Sequence, residues 1–251
     1  MNGRINNIGI DDIAFIAPFI NATIAMPNYG TINMAGLMNG WMRRCYIQDQ
    51  SLGIYVGTSV RFLTLEDITV VHTQDINNGA GDPLDVAISG SNVLVHRFSG
   101  QGNHCHFLTS KKNGHGPNVF LNSNIKGLLS TIGPHMNWGP GHLFDNITLD
   151  TEIWIFNQGG TRAWGGGWDT VWNCKASSMA VDNPPIGYNW VIGGSGPYKS
   201  RAGSSYNETQ AIFDDVGNMQ DPGSLYLAQL KQRLGGSAMT NIGYPQFDDD
   251  C

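Results

Sequence analysis

Short stretches of alternating apolar and polar residues recur along almost the whole chain, in two interleaved series. The first comprises Thr31–Gly36, Gly53–Thr58, Asp85–Gly90, Cys105–Ser110, Glu152–Asn157 and Tyr188–Gly193. The second comprises Trp41–Gln48, Phe62–Val70, Asn92–Phe98, Pro117–Ile125, His142–Leu149 and Asp169–Ala176, whose members begin 21 to 30 residues apart. Gly, Asn, Asp or Ser bound many of them, as turns favour. A repeat of that length with two or three short strands per unit predicts a β-solenoid, because only stacking can bury each unit's apolar side. Helical periodicity is nearly absent until Asp221-Pro222, where Leu225, Ala228, Leu230 and Leu234 predict a helix stopped by Gly235. The expected architecture is all-β: a single-stranded right-handed parallel β-helix over residues 1–235, with its short C-terminal helix as a flap on the last turn or flank. Residues 236–251 are expected as a tail, solvated at Asp248–Asp250.

The alternation also assigns sides. Ile54 and Val56, Val86 and Ile88, Cys105 and Phe107, and Ile153 and Ile155 should face inward. Tyr55, Asp85, His104, His106, Trp154 and Phe156 should then share an outward face. Irregular sequence is confined to apparent insertions at Gln74–Leu84, Lys111–Gly116, Gly127–Gly141, Gly159–Gly167 and Met179–Gly187, of the kind that flank a solenoid's binding surface.

Composition narrows the function classes. Thirty-three glycines with only 14% charged residues suit an all-β or solenoid fold with many tight turns. A net charge of −6 without a polybasic run argues against nucleic acid or an anionic membrane as partner. No stretch approaches the ~18 apolar residues of a membrane span. Met1–Asn7 lacks a leader's apolar core and Ile8–Ile16 is already strand-like, which suggests that an upstream portion was removed. The cysteines, Cys45, Cys105, Cys174 and Cys251, show no CxxC spacing, so no metal site is expected. Cys45 and Cys174 hold similar positions about five turns apart, roughly 24 Å at ~4.8 Å per turn, beyond disulfide reach; both are expected to be buried free thiols.

Candidate chemistry gathers in the middle of the chain. His104, His106 and His115 fall together, with His135 and His142 following. His104 and His106 are two apart on a strand and should share a face; a stacked His135 would converge on them. The alternative is that outward histidines simply bond to loop backbone. Among the tryptophans, Trp138, Trp154, Trp164 and Trp168 are candidate sugar-stacking platforms with the outward Tyr55, whereas Trp172 and Trp190 read as core or near-core. The acids are Asp85, Asp145, Glu152 and Asp169; Asp145-Asn146 reads better as a ladder between turns than as catalytic. Arg162, with Lys111, Lys112, Lys199 and Arg201, can neutralise a uronate carboxylate, although singly each reads as a surface charge. Sequons stand at Asn21, Asn146 and Asn207.

Taken in order, Gly-Pro-Asn-Val-Phe-Leu (116–121), Gly-Pro-His (133–135), Leu-Phe-Asp-Asn-Ile (143–147), Gly-Trp-Asp-Thr-Val-Trp-Asn-Cys (167–174), Pro-Pro (184–185), Asn-Trp-Val-Ile-Gly (189–193) and Ser-Leu-Tyr-Leu-Ala-Gln-Leu (224–230) resemble a family of secreted, pectate-lyase-like parallel β-helix proteins. The resemblance spans about Ile10 to Gly235. It implies a secreted or cell-surface protein acting on polysaccharide, in a superfamily of lyases, hydrolases and non-enzymatic members. The family pattern follows Gly-Pro-His with a second His, an Arg and a Trp; His135-Met136-Asn137-Trp138 keeps only the first His and the Trp. Gly165-Gly166-Gly167-Trp168 likewise lacks the His of a Gly-His-Gly-Trp element.

The leading expectation is a lyase cleaving a uronate-containing glycan by β-elimination. His104, His106 or His135 would be the base, and Arg162 or a bound cation would stabilise the charge; Tyr55, Asp85, Trp138, Trp154, Trp164 and Trp168 would bind substrate. Calcium is left open as a cofactor without a motif to support it. A hydrolase would instead pair two of Asp85, Asp145, Glu152 and Asp169. A glycan-binding or structural solenoid, assembling end to end or as a homo-oligomer, is the reading from another class.

Overall fold

The structure is a computed structural model that describes residues 3–20, 30–75, 82–111, 114, 116–159, 162–201 and 209–246. It is mostly β, with two long sheets and two short helices. Sheet B stacks Gly30–Met34, Leu52–Val56, Leu84–Ile88, His106–Ser110, Thr131–Ile132, Glu152–Ile155 and Ser178–Asn183, every neighbouring pair parallel. Thr209–Gln210 closes its end antiparallel. Sheet A begins with Leu37–Gln48, edged by the short strands Ile5–Asn6, Gly9–Asp11 and Ala14–Ile16, and continues through Arg61–Val71. It then forks. One branch runs through Ser91–His96, Asn118–Leu121, His142–Asp145, Thr170–Trp172, Trp190–Ile192 and Ile212–Asp214; the other runs through Ser99–Gln101, Asn124–Lys126 and Thr148–Leu149. The chain thus alternates between the sheets, and each pass pairs with the pass before it.

That register builds the core. Met42, Leu65, Val95, Phe120, Phe144, Val171 and Val191 are partners in succession along sheet A, and Ile54, Val86, Leu108, Ile132, Ile153 and Met179 along sheet B. All are essentially inaccessible to solvent. Columns of apolar side chains from both sheets therefore join in one core, mostly at the positions that alternation marks as inward. Cys45, Cys105 and Cys174 are buried and free, while Cys251 lies outside the described residues. Each pass also turns a corner through a left-handed residue: Arg44, Asp67, Arg97, Asn122, Asn146 and Asn173 all have φ near +50°. Asn tolerates that conformation because its short amide bonds locally, and here Asn146 Nδ2 donates to Asn122 Oδ1 at 2.6 Å on the adjacent pass. Where the corner residue is Arg97, an ion pair to Asp67 at 2.8 Å bridges the passes instead. Asn146 of the sequon is thus held in a ladder; Asn21 and Asn207 lie outside the described residues.

Three expectations need correction. Trp190–Ile192 belongs to sheet A, not to the first series. The supposed insertions Gly127–Gly141 and Met179–Gly187 contain sheet B strands, Thr131–Ile132 and most of Ser178–Asn183, which are too short or too uniformly apolar to show alternation. Finally, residues after 235 are not simply a tail. Helix α1 (Leu225–Leu234) is followed by α2 (Gly236–Asn241). Leu227, Leu230 and Met239 pack with Leu121 against the outer flank of sheet A. Arg97 then donates to Ile242 O at 2.9 Å and lies 5.3 Å over the Tyr244 ring. Asp248–Asp250 are outside the described residues.

Asp145 anchors this flap. Its Oδ2 accepts from Ser224 Oγ at 2.8 Å and Tyr226 N at 2.7 Å, and Ser224 in turn caps α1 by accepting from Leu227 N. Burial pushes the carboxyl up to about 6, against the lowering effect of those bonds. An acid raised on folding contributes stability that is present at low pH and lost as the pH rises through the folded value. Stability is therefore expected to fall by about 2–3 kcal/mol on this account between roughly pH 4 and 6. Urea denaturation of the wild type and Asp145→Asn across that range checks it: the difference between them should vary with pH, and a constant difference rejects the assignment.

Candidate active-site cleft on sheet B

The outer face of sheet B carries the candidate chemistry, and a local irregularity decides which residues reach it. In successive passes Thr31, Gly53, Asp85 and Phe107 are bracketed by paired neighbours without being paired themselves. Alternation breaks there, so Phe107 and Leu108 are both buried although adjacent. Asp85 sits at the same position and turns inward: it is fully buried, with Oδ1 2.8 Å from His72 Nε2. The expectation that Asp85 binds substrate is overturned. His106, one residue before the irregularity, points outward in a row with Leu84, Thr131, Glu152 and Ser178.

A cleft of about 380 Å³ opens over this row, lined by Asp82, His104, Leu128, Leu129, Thr131, Glu152, Trp154 and Arg201 among others. His106 is not itself among the lining residues but touches two of them, with Nδ1 2.5 Å from Thr131 Oγ1 and Nε2 3.5 Å from Asp82 Oδ2. The His135 ring packs 4.6 Å away and the Trp154 ring 5.9 Å away. His135 is placed by its backbone N–H, which bonds Ser110 O at 3.0 Å. Burial pushes the His106 imidazole down to about 3, helped by the neighbouring His135 and Arg162. Burial, Arg162 and Lys111 push His135 down to about 4. Both rings are therefore neutral, proton-accepting bases at neutral pH. Burial raises the Asp82 carboxyl, against the opposing charges of His104 and Arg162.

Glu152 organises the far wall. It accepts from Trp154 Nε1 at 2.7 Å and Ser178 Oγ at 3.0 Å, and pairs with both Lys199 and Arg201. The Arg201 guanidinium lies 4.6 Å over the Trp154 ring, where burial lowers its pKa. Such a stacked, partly desolvated cation beside an aromatic face suits an anionic ring substrate. Arg162 is exposed, and its carbonyl accepts from Asn137 N at 2.9 Å.

The other expected site residues are distributed differently. His104 is not on a strand: it occupies a turn with φ 55° and so shares no strand face with His106, although it still lines the cleft beside Asp82. Tyr55 faces outward as expected, but in a second cavity of about 370 Å³ at the other end of the sheet, with Lys111 Nζ 5.2 Å over its ring. Trp138 and Trp168 pack edge to face at 5.6 Å away from the cleft lining, and Trp164 bridges to Asn157 in the same loop region. Trp190 is 39% exposed rather than near-core, whereas Phe156, expected outward, is buried. Trp172 is half-buried and donates to Pro222 O at 3.0 Å. Asp169 is fully buried and accepts from His142 N at 2.8 Å, a structural task like that of Asp145. His115 and Lys112 lie outside the described residues. Asp82, Leu128 and Leu129 were missed, since all three sit in irregular sequence where no periodicity marks a direction.

Fold and cleft together define a β-rich chain of stacked parallel strands with a histidine–carboxylate–arginine cleft on one sheet. No family model matches the chain, nor does any curated protein or solved structure. Among the described residues, no helix is long and apolar enough to cross a membrane.

Proposed function

We propose that the two sheets wind as a right-handed parallel β-helix and that the sheet B cleft binds and cleaves an acidic polysaccharide by β-elimination. One observation supports this above others: two neutral imidazoles, His106 and His135, pack together beside Trp154, which lines the cleft with Arg201 stacked on its ring. The Trp154 face would carry a sugar ring, and Arg201 and Arg162 would hold the uronate carboxylate. His135, less deeply covered than His106, would take the proton alpha to that carboxylate. The electron pair then forms a carbon–carbon double bond as the glycosidic carbon–oxygen bond breaks, and the leaving oxygen takes a proton from Asp82 or water. Such substrates place the protein outside the cell or at its surface. The hydrolytic alternative is weakened, because Asp85, Asp145 and Asp169 are all buried in structural roles.

A specific observation favours a second reading, glycan binding without cleavage. Both His106 ring nitrogens already face partners, and Arg201 is already paired with Glu152. Incubation with polyuronates and neutral polysaccharides, following ultraviolet absorbance of unsaturated products alongside reducing ends, separates the readings. New double bonds on polyuronate alone are expected. Reducing ends without double bonds, or binding with neither product, would reject elimination.

A further inference from the structure

Three passes bring a histidine, a carboxylate and a thiol together inside the stack. His72 follows the strand Arg61–Val71, Asp85 lies in Leu84–Ile88, and Cys105 precedes His106–Ser110. All three are buried, and their ligand-type atoms lie within 4.8 Å of one another, the one such set among the described residues. His72 meets Asp85 Oδ1, but Asp85 Oδ2 is buried with no hydrogen-bond partner. Cys105 Sγ donates only to Asn103 O, at 3.1 Å. A buried His–Asp pair accounts for one carboxylate oxygen. It leaves the other orphaned, which is unfavourable for a buried acceptor, and gives the converging thiol no task.

We propose that His72, Asp85 and Cys105 form a metal site for a divalent transition ion, zinc fitting the mixed N, O and S donors best. The His72 nitrogen, both Asp85 oxygens and the Cys105 sulfur supply four donors. Apart from the two oxygens of one carboxylate, which covalent geometry holds closer, donors around four-coordinate zinc stand roughly 3.3–3.8 Å apart. The most separated pair must therefore close by about 1 Å, and His72 Nε2 and Asp85 Oδ1, now 2.8 Å apart, must open. Binding forms the metal–sulfur bond as the thiol proton leaves to solvent, and Sγ gives up its bond to Asn103 O. His72 binds as the neutral ring. With no solvent-facing side, the ion acts as a clamp between passes rather than as a Lewis acid. Cys105 lies between His104 and His106, so the clamp fixes the turn that aims His106 at Thr131 and Asp82. The proposal stands apart from the glycan reading, because its measurements involve no polysaccharide.

The full chain, unfolded in urea with reductant and chelator, is refolded with cobalt(II) and desalted. One retained equivalent is expected, with a thiolate-to-cobalt charge-transfer band in the near ultraviolet and tetrahedral ligand-field bands in the visible. Zinc should abolish the bands and raise the melting temperature. Cys105→Ser should remove the charge-transfer band, and Cys45→Ser and Cys174→Ser should keep it. If Cys105→Ser does not fold, His72→Gln takes its place, and loss of the retained ion supports the site. Native circular dichroism with no retained cobalt overturns the proposal, as does a charge-transfer band that survives Cys105→Ser or an ion that survives His72→Gln.

Discussion

Replacing Phe120 by alanine is expected to destabilise the protein by about 3–5 kcal/mol, the range for emptying a buried aromatic site. Phe120 and Phe144 are register partners on successive passes, stacked with ring centroids 4.9 Å apart and 8° between planes, and neither has solvent contact. The parallel strands on both sides fix the backbone spacing, so the neighbours have little freedom to collapse into the void. Urea denaturation monitored by circular dichroism measures the effect, with Leu128→Ala as reference: Leu128 is 71% exposed, so its loss should change stability by less than about 0.5 kcal/mol. Equal losses in the two variants would mean that the aromatic stack is not the centre of the core.

The second large effect concerns activity. If elimination occurs in the sheet B cleft, His135→Ala should lower kcat/KM on polyuronate by about 10²–10⁴-fold, the usual contribution of a positioned base, with the melting temperature nearly unchanged because the ring is only half-buried. The pH profile gives a second readout. A base whose pKa is pushed down to about 4 is already deprotonated above that value, so the acid limb should fall near pH 4 rather than near the ordinary histidine value of about 6.5. An acid limb near 6.5, or turnover indifferent to His135→Ala, would assign proton abstraction elsewhere.

The stacked β architecture was legible because the core demands it: Ile54 and Val56, Val86 and Ile88, and Ile153 and Ile155 alternate with outward residues, and register makes those positions columns. The convergence of His106 with His135 was legible only as a condition: the partner one pass on is Thr131, 25 residues later, and His135 reaches the ring from the loop after Thr131–Ile132. Asp85 was misread because strict alternation was extended through a place where sheet B leaves a residue unpaired, and Phe107-Leu108, two large apolar residues in sequence, was the signal of that break. His104 was misread because its left-handed turn conformation is invisible to periodicity. Arg201, Glu152 and Trp154 meet through a return of the chain nearly fifty residues later; no local pattern encodes such a meeting, only the fold does.

The strict pass-by-pass pairing of sheet B has a geometric consequence. From Gly30–Met34 to Ser178–Asn183 it sets seven parallel strands side by side, which at ~4.8 Å per step makes a wall roughly 29 Å long. Such a wall behaves as a ruler: adding or removing one loop of chain lengthens or shortens it by a single graduation and leaves every other mark in place. The Tyr55 and Trp154 hollows stand at two marks on that scale, and their separation is written in the number of windings between them.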